Sequence, residues 1–145
     1  MPDTPYPLEA VRTLREQALA AAQAELRRAE EALAETEARL RELTLARVAH
    51  HEARAQRQGT STRAVDLVRA AALDARLQAE GEALESQERK LRAERERHTH
   101  ALRVAREALR LAHAEAQAIE RHHARHLQDE KQRQDKAREL EHEET

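Results

Sequence analysis

Four of the nine histidines, His113, His122, His123 and His126, lie close together in the last third of this 145-residue chain. His122 and His126 are four apart, a spacing that lets two imidazoles on one helical face chelate zinc or nickel. The chain has no cysteine, and neither an HExxH motif nor a nearby inward-facing carboxylate completes a coordination sphere. Solvated histidines on a polar helix are therefore expected here, not a metal site. His50 and His51 read the same way, and His98 reads as a polar layer tolerated between helices. There is no Gly-rich phosphate loop, no nucleophile elbow and no carboxylate pair with a reason to be dry. Acidic residues stand beside arginines at helical spacings, as in a surface ion-pair mesh. No catalytic residue, cofactor or metal is expected, and the chain is not expected to be an enzyme.

The elements that would carry these residues follow from composition. There are 31 Ala and 18 Leu against five Val, one Ile, one Tyr and no Phe or Trp, and charged residues make up 37%. A compact core of varied bulky side chains cannot be built from this set, whereas long helices and coiled coils can. The 26 basic and 28 acidic residues interleave to a net charge of −2, without the basic block of a nucleic-acid binder. No apolar run approaches the ~18 residues of a membrane span, and the start Met1-Pro2-Asp3-Thr4-Pro5 lacks the pattern of a secretory signal. A soluble, cytoplasmic chain is the expectation, peripheral to a membrane at most.

Pro2, Pro5 and Pro7 predict an extended segment over 1–7. Helix one is predicted over 8–58, where Gly and Pro are absent. Leu19, Leu26, Leu33 and Leu40 recur every seven residues, with Ala22, Ala29, Thr36 and Leu43 three residues after each. This 3–4 alternation keeps one stripe against a partner helix. Gly59-Thr60-Ser61-Thr62 supplies a turn, with Gly59 suited to a helix C-terminus and Ser or Thr to the next N-cap. Helix two is predicted over 63–140, followed by a tail at 141–145. Its seam is Leu91, His98, Leu102, Ala105, Leu109, Ala112, Ala116, Ile119 and His123. A short turn makes the helices antiparallel neighbours, so the predicted fold is an all-α, long antiparallel two-helix coiled-coil hairpin. Helix one would be roughly 75 Å long and helix two roughly 115 Å, leaving an overhang from about residue 114.

Gly81 interrupts the second pattern, and Gln87, Glu88, Glu94 and Arg95 occupy neighbouring seam slots. Two arrangements fit: a direct hairpin, or a short helix over 63–80 followed by a second bend at Gly81. The direct hairpin is preferred, since a lone helical Gly costs only ~1 kcal/mol and long Arg and Glu stems can lie along a seam.

Near the bend the apolar residues exceed what one seam can hold. Leu43 and Leu45 are two apart, about 200° around a helix, and Val48 extends the Leu45 side. Across the bend Val65, Leu67, Val68, Ala70, Ala71, Ala72 and Leu73 surround most of the circumference. Such an excess points to a partner or a second copy, unless a bent hairpin tip buries it.

The whole chain resembles the FliJ/YscO family of type III export stalk proteins. The resemblance rests on the start Pro7-Leu8-Glu9-Ala10-Val11-Arg12-Thr13-Leu14-Arg15-Glu16, and on the run Glu25-Leu26-Arg27-Arg28-Ala29-Glu30-Glu31-Ala32-Leu33. The size and the long charged Ala/Leu second helix with its polar tail match as well. It implies a monomeric, non-enzymatic partner of the hexameric export ATPase that also touches the cytoplasmic domain of the export gate and, in some members, export chaperones. The gate contact would be a stripe shared by both helices, corresponding here to Leu45, Ala49, Ala72 and Ala79. Leu43, Val48, Val65 and Val68 join it as candidate partner-binding residues from the apolar excess. Family members often carry aromatic side chains in that stripe, and this chain has none. The competing expectation is a generic coiled-coil scaffold or homodimeric adaptor, whose leucines pair between chains.

Overall fold

The computed structural model describes residues 5–57 and 64–145. The Gly59–Thr62 turn and most of the N-terminal extended segment expected above lie outside the described residues. Two helices account for nearly everything else: α1, Glu9–Arg57, and α2, Ala64–Glu143. They pack against each other as an all-α, antiparallel two-helix coiled-coil hairpin, with no strand among the described residues.

Helix formation is locally determined. Ala, Leu, Glu, Arg and Gln are strong helix formers, and α1 contains neither Gly nor Pro. Pro7 sits just before α1, where its missing N–H removes nothing, and the Glu9 amide bonds the Tyr6 carbonyl at 3.1 Å. Threonines inside the helices satisfy their hydroxyls on the carbonyl one turn back: Thr36 on Ala32 (3.0 Å), Thr44 on Leu40 (2.8 Å) and Thr99 on Arg95 (2.7 Å). This is why Thr36 can be the most buried polar residue, at 3% exposure, without an unmet donor. At its other end α2 continues past residue 140, where the sequence pattern ended it. The Glu144 amide bonds the Leu140 carbonyl, and the Thr145 hydroxyl reaches the carbonyls of Glu141 and His142.

The heptad seam of α1 is the one its leucines predict. Leu19, Ala22, Leu26, Ala29, Leu33, Thr36, Leu40 and Leu43 are all buried or half-buried. Arg47, His50, Arg54 and Arg57 continue the same spacing as half-buried polar positions. On α2, Leu91, His98, Leu102, Ala105, Leu109, Ala112, Ala116, Ile119 and His123 are likewise covered, and Leu77, Gly81, Leu84 and Glu88 extend the stripe toward the bend. Leu102, Ala105, Ala116 and Ile119 are the most enclosed of these.

The chain forms two compact units, one of Met1–Arg28 with Arg103–Thr145 and one of Ala29–Leu102. In the first, Arg12 pairs with Glu120 at 2.7 Å, Arg15 with Glu115, and Tyr6 bonds His122. In the second, Arg47 pairs with Glu85 and Glu88, and His50 bonds the Leu77 carbonyl. Both sets run antiparallel, but not in the register of a tight four-residue turn, which would set Arg12 level with Leu109 and Arg47 level with Asp74. In these contacts the α1 residue meets α2 from about six to about fourteen residues farther along. The slip brings Arg47 to Glu88 within the seam and sets Arg12 and Arg15 beside Glu120 and Glu115 at its margin, where the tight register would have set polar slots against leucines. It also moves the overhang: α1 and its leading Tyr6 cover α2 as far as His126, so the uncovered stretch begins near Leu127, not near residue 114.

Gly81 is not a bend. α2 passes straight through it, and its missing side chain makes room for the His50 ring. A Cβ at residue 81 would lie 3.0 Å from His50 Cε1, while His50 Nε2–H donates to the Leu77 carbonyl at 2.7 Å. Glycine here trades helix propensity for a histidine knob in the seam. Gly81→Ala in a His50→Ala background is therefore expected to raise stability by about 1 kcal/mol, the helix-propensity gain. With His50 present the gain shrinks or reverses. A double-mutant cycle by urea unfolding reads the difference.

Candidate partner-binding surfaces

The eight residues singled out in the sequence fall in the unit Ala29–Leu102. Leu43 is buried in the seam at 8% exposure and is not free to meet a partner. Leu45 and Val68 are each 71% exposed; Val48, Ala49, Ala72 and Ala79 are exposed as well. The Val65 side chain lies outside the described residues. Seam positions Leu43, Arg47 and His50 place Leu45, Val48 and Ala49 on the back of α1. Seam positions Leu77, Gly81 and Leu84 place Ala79 on the back of α2; Val68 and Ala72 continue the same face of α2 beyond the stretch that the described end of α1 covers. The backs of two paired helices face away from each other. The register thus divides the expected single stripe into two separate apolar backs, because 3.6 residues per turn puts each set half a turn from its own seam.

Between these backs lies a polar layer. Glu88 is the most sequestered of the ion-paired acids among the described residues, its side chain 13% exposed, and it accepts from Arg47 across the seam and from Arg92 on its own helix at 2.5 Å. Arg47 also reaches Glu85 at 3.7 Å. The hydrogen bond from Arg47, more than the opposing loss of hydration, holds the Glu88 carboxyl below its ordinary value. Glu120 is held down in the same way by Arg12, whose guanidinium is correspondingly raised. Arg15–Glu115 also joins the two helices, whereas the remaining ion pairs among the described residues, such as Arg39–Glu35 at 2.7 Å and Arg110–Glu107 at 2.6 Å, lie within one helix and are solvated. They support helix formation more than pairing.

The histidine cluster has a structural use the sequence did not reveal. Tyr6, the only aromatic of the chain, is buried at 9% exposure against it. Its hydroxyl shares a 2.6 Å hydrogen bond with His122 Nδ1, and its ring lies 4.7 Å from that of His123 and 5.1 Å from that of His126. The legible signal was a lone aromatic between two prolines just ahead of a helix, the place of a residue that fixes the chain's entry angle. Among the described residues no group of three or more His, Asp or Glu is arranged to hold a metal ion, and no helix is long and apolar enough to cross a membrane.

The chain matches no known family model, and no curated protein or solved structure is similar to it.

Two outcomes follow from these contacts. Carboxylates held below their ordinary value stabilise the fold fully above the unfolded-state pKa, and lose that contribution as pH falls through the lower folded-state value. Thermal stability is therefore expected to fall below about pH 4.3. Glu88→Gln should melt lower at pH 7 and show a flatter acid limb in circular dichroism. Tyr6→Phe keeps the ring and loses the bond to His122, about 1 kcal/mol, so amide exchange over residues 9–14 should quicken roughly fivefold.

Proposed function

We propose that this chain is a non-enzymatic stalk protein of a type III secretion or flagellar export apparatus. In that role it binds the hexameric export ATPase and the cytoplasmic domain of the export gate and promotes ATP hydrolysis and protein export. The reading rests on the resemblance of residues 7–16 and 25–33 to the FliJ/YscO family. The observation that carries it is the antiparallel pairing of two uninterrupted helices, the second continuing uncovered and polar beyond its partner. Such a pair suits a part that transmits orientation: it is stiff through helix propensity and seam packing, and its charged, mixed-sign surface does not adhere inside a ring. The absence of aromatic anchors along the uncovered stretch agrees with weak, reversible contact there. The proposed site of action is the cytoplasmic face of the secretion machinery, with export chaperones as further partners.

Division of the apolar excess into two backs sharpens the gate contact. One back, Leu45–Val48–Ala49 on α1 or Val68–Ala72–Ala79 on α2, carries it alone. The same exposed leucines and valines favour a second reading, a homodimeric scaffold joined through these backs.

Light scattering should give a single species of 16.6 kDa, and the chain should co-purify with the cognate export ATPase and raise its turnover. Leu45→Asp with Val48→Asp, or Val68→Asp with Ala72→Asp, should weaken binding to the gate domain about tenfold or more, one pair only, with melting unchanged. A dimer dispersed by either pair, with no effect on the ATPase, would replace this reading with the scaffold.

A further inference from the structure

Helix α2 carries a second 3–4 repeat outside its seam. Arg97, Ala101, Val104, Ala108, Leu111 and Glu115 follow one another at alternating steps of four and three. At about 100° per residue they share one side of the helix, about 110° around from the seam. All six are exposed, Val104 at 55% and Leu111 at 49%. A repeat of this kind is what lets one helix pair with another, and α1 is engaged on the seam instead.

The order of residues along this face says what fits it. Taken backwards about a midpoint at Arg106, the face is complementary to itself: Arg97 falls level with Glu115, Ala101 with Leu111, and Val104 with Ala108. Two copies of α2 laid antiparallel about that midpoint therefore set a small side chain opposite every large one. They also set a cation opposite an acid at both ends. Ala against Leu or Val lets the axes approach toward the short end of the ~8–10 Å range. Parallel pairing in register would instead bring Arg97 onto Arg97 and Glu115 onto Glu115. Self-complementarity of one patch is the mark of a two-fold, isologous contact. Like charges come near the dyad at Glu107, whose carboxylate is already bonded twice by Arg110, at 3.0 and 2.6 Å. Glu115 also accepts from Arg15 of its own chain, and its side chain stays 51% exposed and open to a second cation.

We propose that this face of α2 pairs with the same face of a second copy of the chain, antiparallel and two-fold, with Val104 and Leu111 over Ala108 and Ala101 and with Arg97 on Glu115 at each end. Four apolar side chains per copy bury well under the about 1,200 Å² of a stable complex. The pairing is accordingly weak, with a dissociation constant on the order of 10⁻⁴ M, and micromolar chain remains monomeric. The inference does not rest on the export reading, and it uses none of the residues assigned to the gate contact.

Sedimentation equilibrium of the full chain from about 10 μM to about 1 mM should show the average mass rising from 16.6 kDa toward twice that. Arg97→Glu alone and Glu115→Arg alone should each weaken the association about tenfold, because each sets like charges against each other at both ends of the pair. An equimolar mixture of the two variants should regain it, since one chain then brings two acids and the other two cations. Leu111→Asp should abolish it, and unchanged melting in dilute solution is the control for folding. Leu45→Asp with Val48→Asp should leave it intact. A mass constant up to the highest concentration, indifference to both charge reversals, or a mixture no better than its components would overturn the proposal. So would dispersal by the Leu45 and Val48 variant, which would assign the dimer to the back of α1.

Discussion

Two helices built almost entirely from Ala, Leu and charged residues have a strong reason to pair and a weak reason to pair in one register. Each heptad of a Leu/Ala seam looks much like the next, so sliding one helix by seven residues loses little apolar contact. What distinguishes the observed alignment is the set of polar side chains that have a partner in it and not elsewhere. Arg47 meets Glu85 and Glu88, and His50 enters the space left by Gly81 and finds the Leu77 carbonyl. In the other unit Arg12 meets Glu120, Arg15 meets Glu115, and Tyr6 settles among three histidines. Polar residues at seam positions are known to fix register at some cost in stability, and this chain uses them in both units.

That division of labour leaves the outer surfaces free for other purposes. Apolar residues not needed by the seam remain exposed on outer faces of both helices. A protein held together by so narrow a stripe has little buried area to spare. Side chains that do not contribute to pairing, such as Leu45 and Val68, are therefore more telling here than they would be on a large globular domain. Ion pairs within each helix surround these patches with mixed charge, which keeps the rest of the surface from adhering.

The helices and their seam were legible in the residues because both are local properties. Helix propensity acts over a few residues, and a 3–4 repeat of Leu and Ala marks one face whatever lies opposite. Leu19 through Leu43 and Leu91 through His123 could be assigned on that ground alone. The polar seam near Gly81 was visible as an anomaly, and the preference for an unbroken helix followed from the small cost of one glycine.

What tertiary structure alone decided was which residues meet. The seam repeats, so its pattern is compatible with several registers. The tight turn implied by Gly59–Thr62 selected one that sets acids against leucines. Pairing of Arg47 with Glu88, and the fit of His50 to Gly81, depend on side chains more than 30 residues apart and have no signature in either helix read by itself. The same holds for Tyr6 and the histidines, and for the separation of Leu45 from Ala72 and Ala79 onto opposite backs. Periodicity tells each helix which way is inward; only the docking of one helix on the other settles what stands across from what.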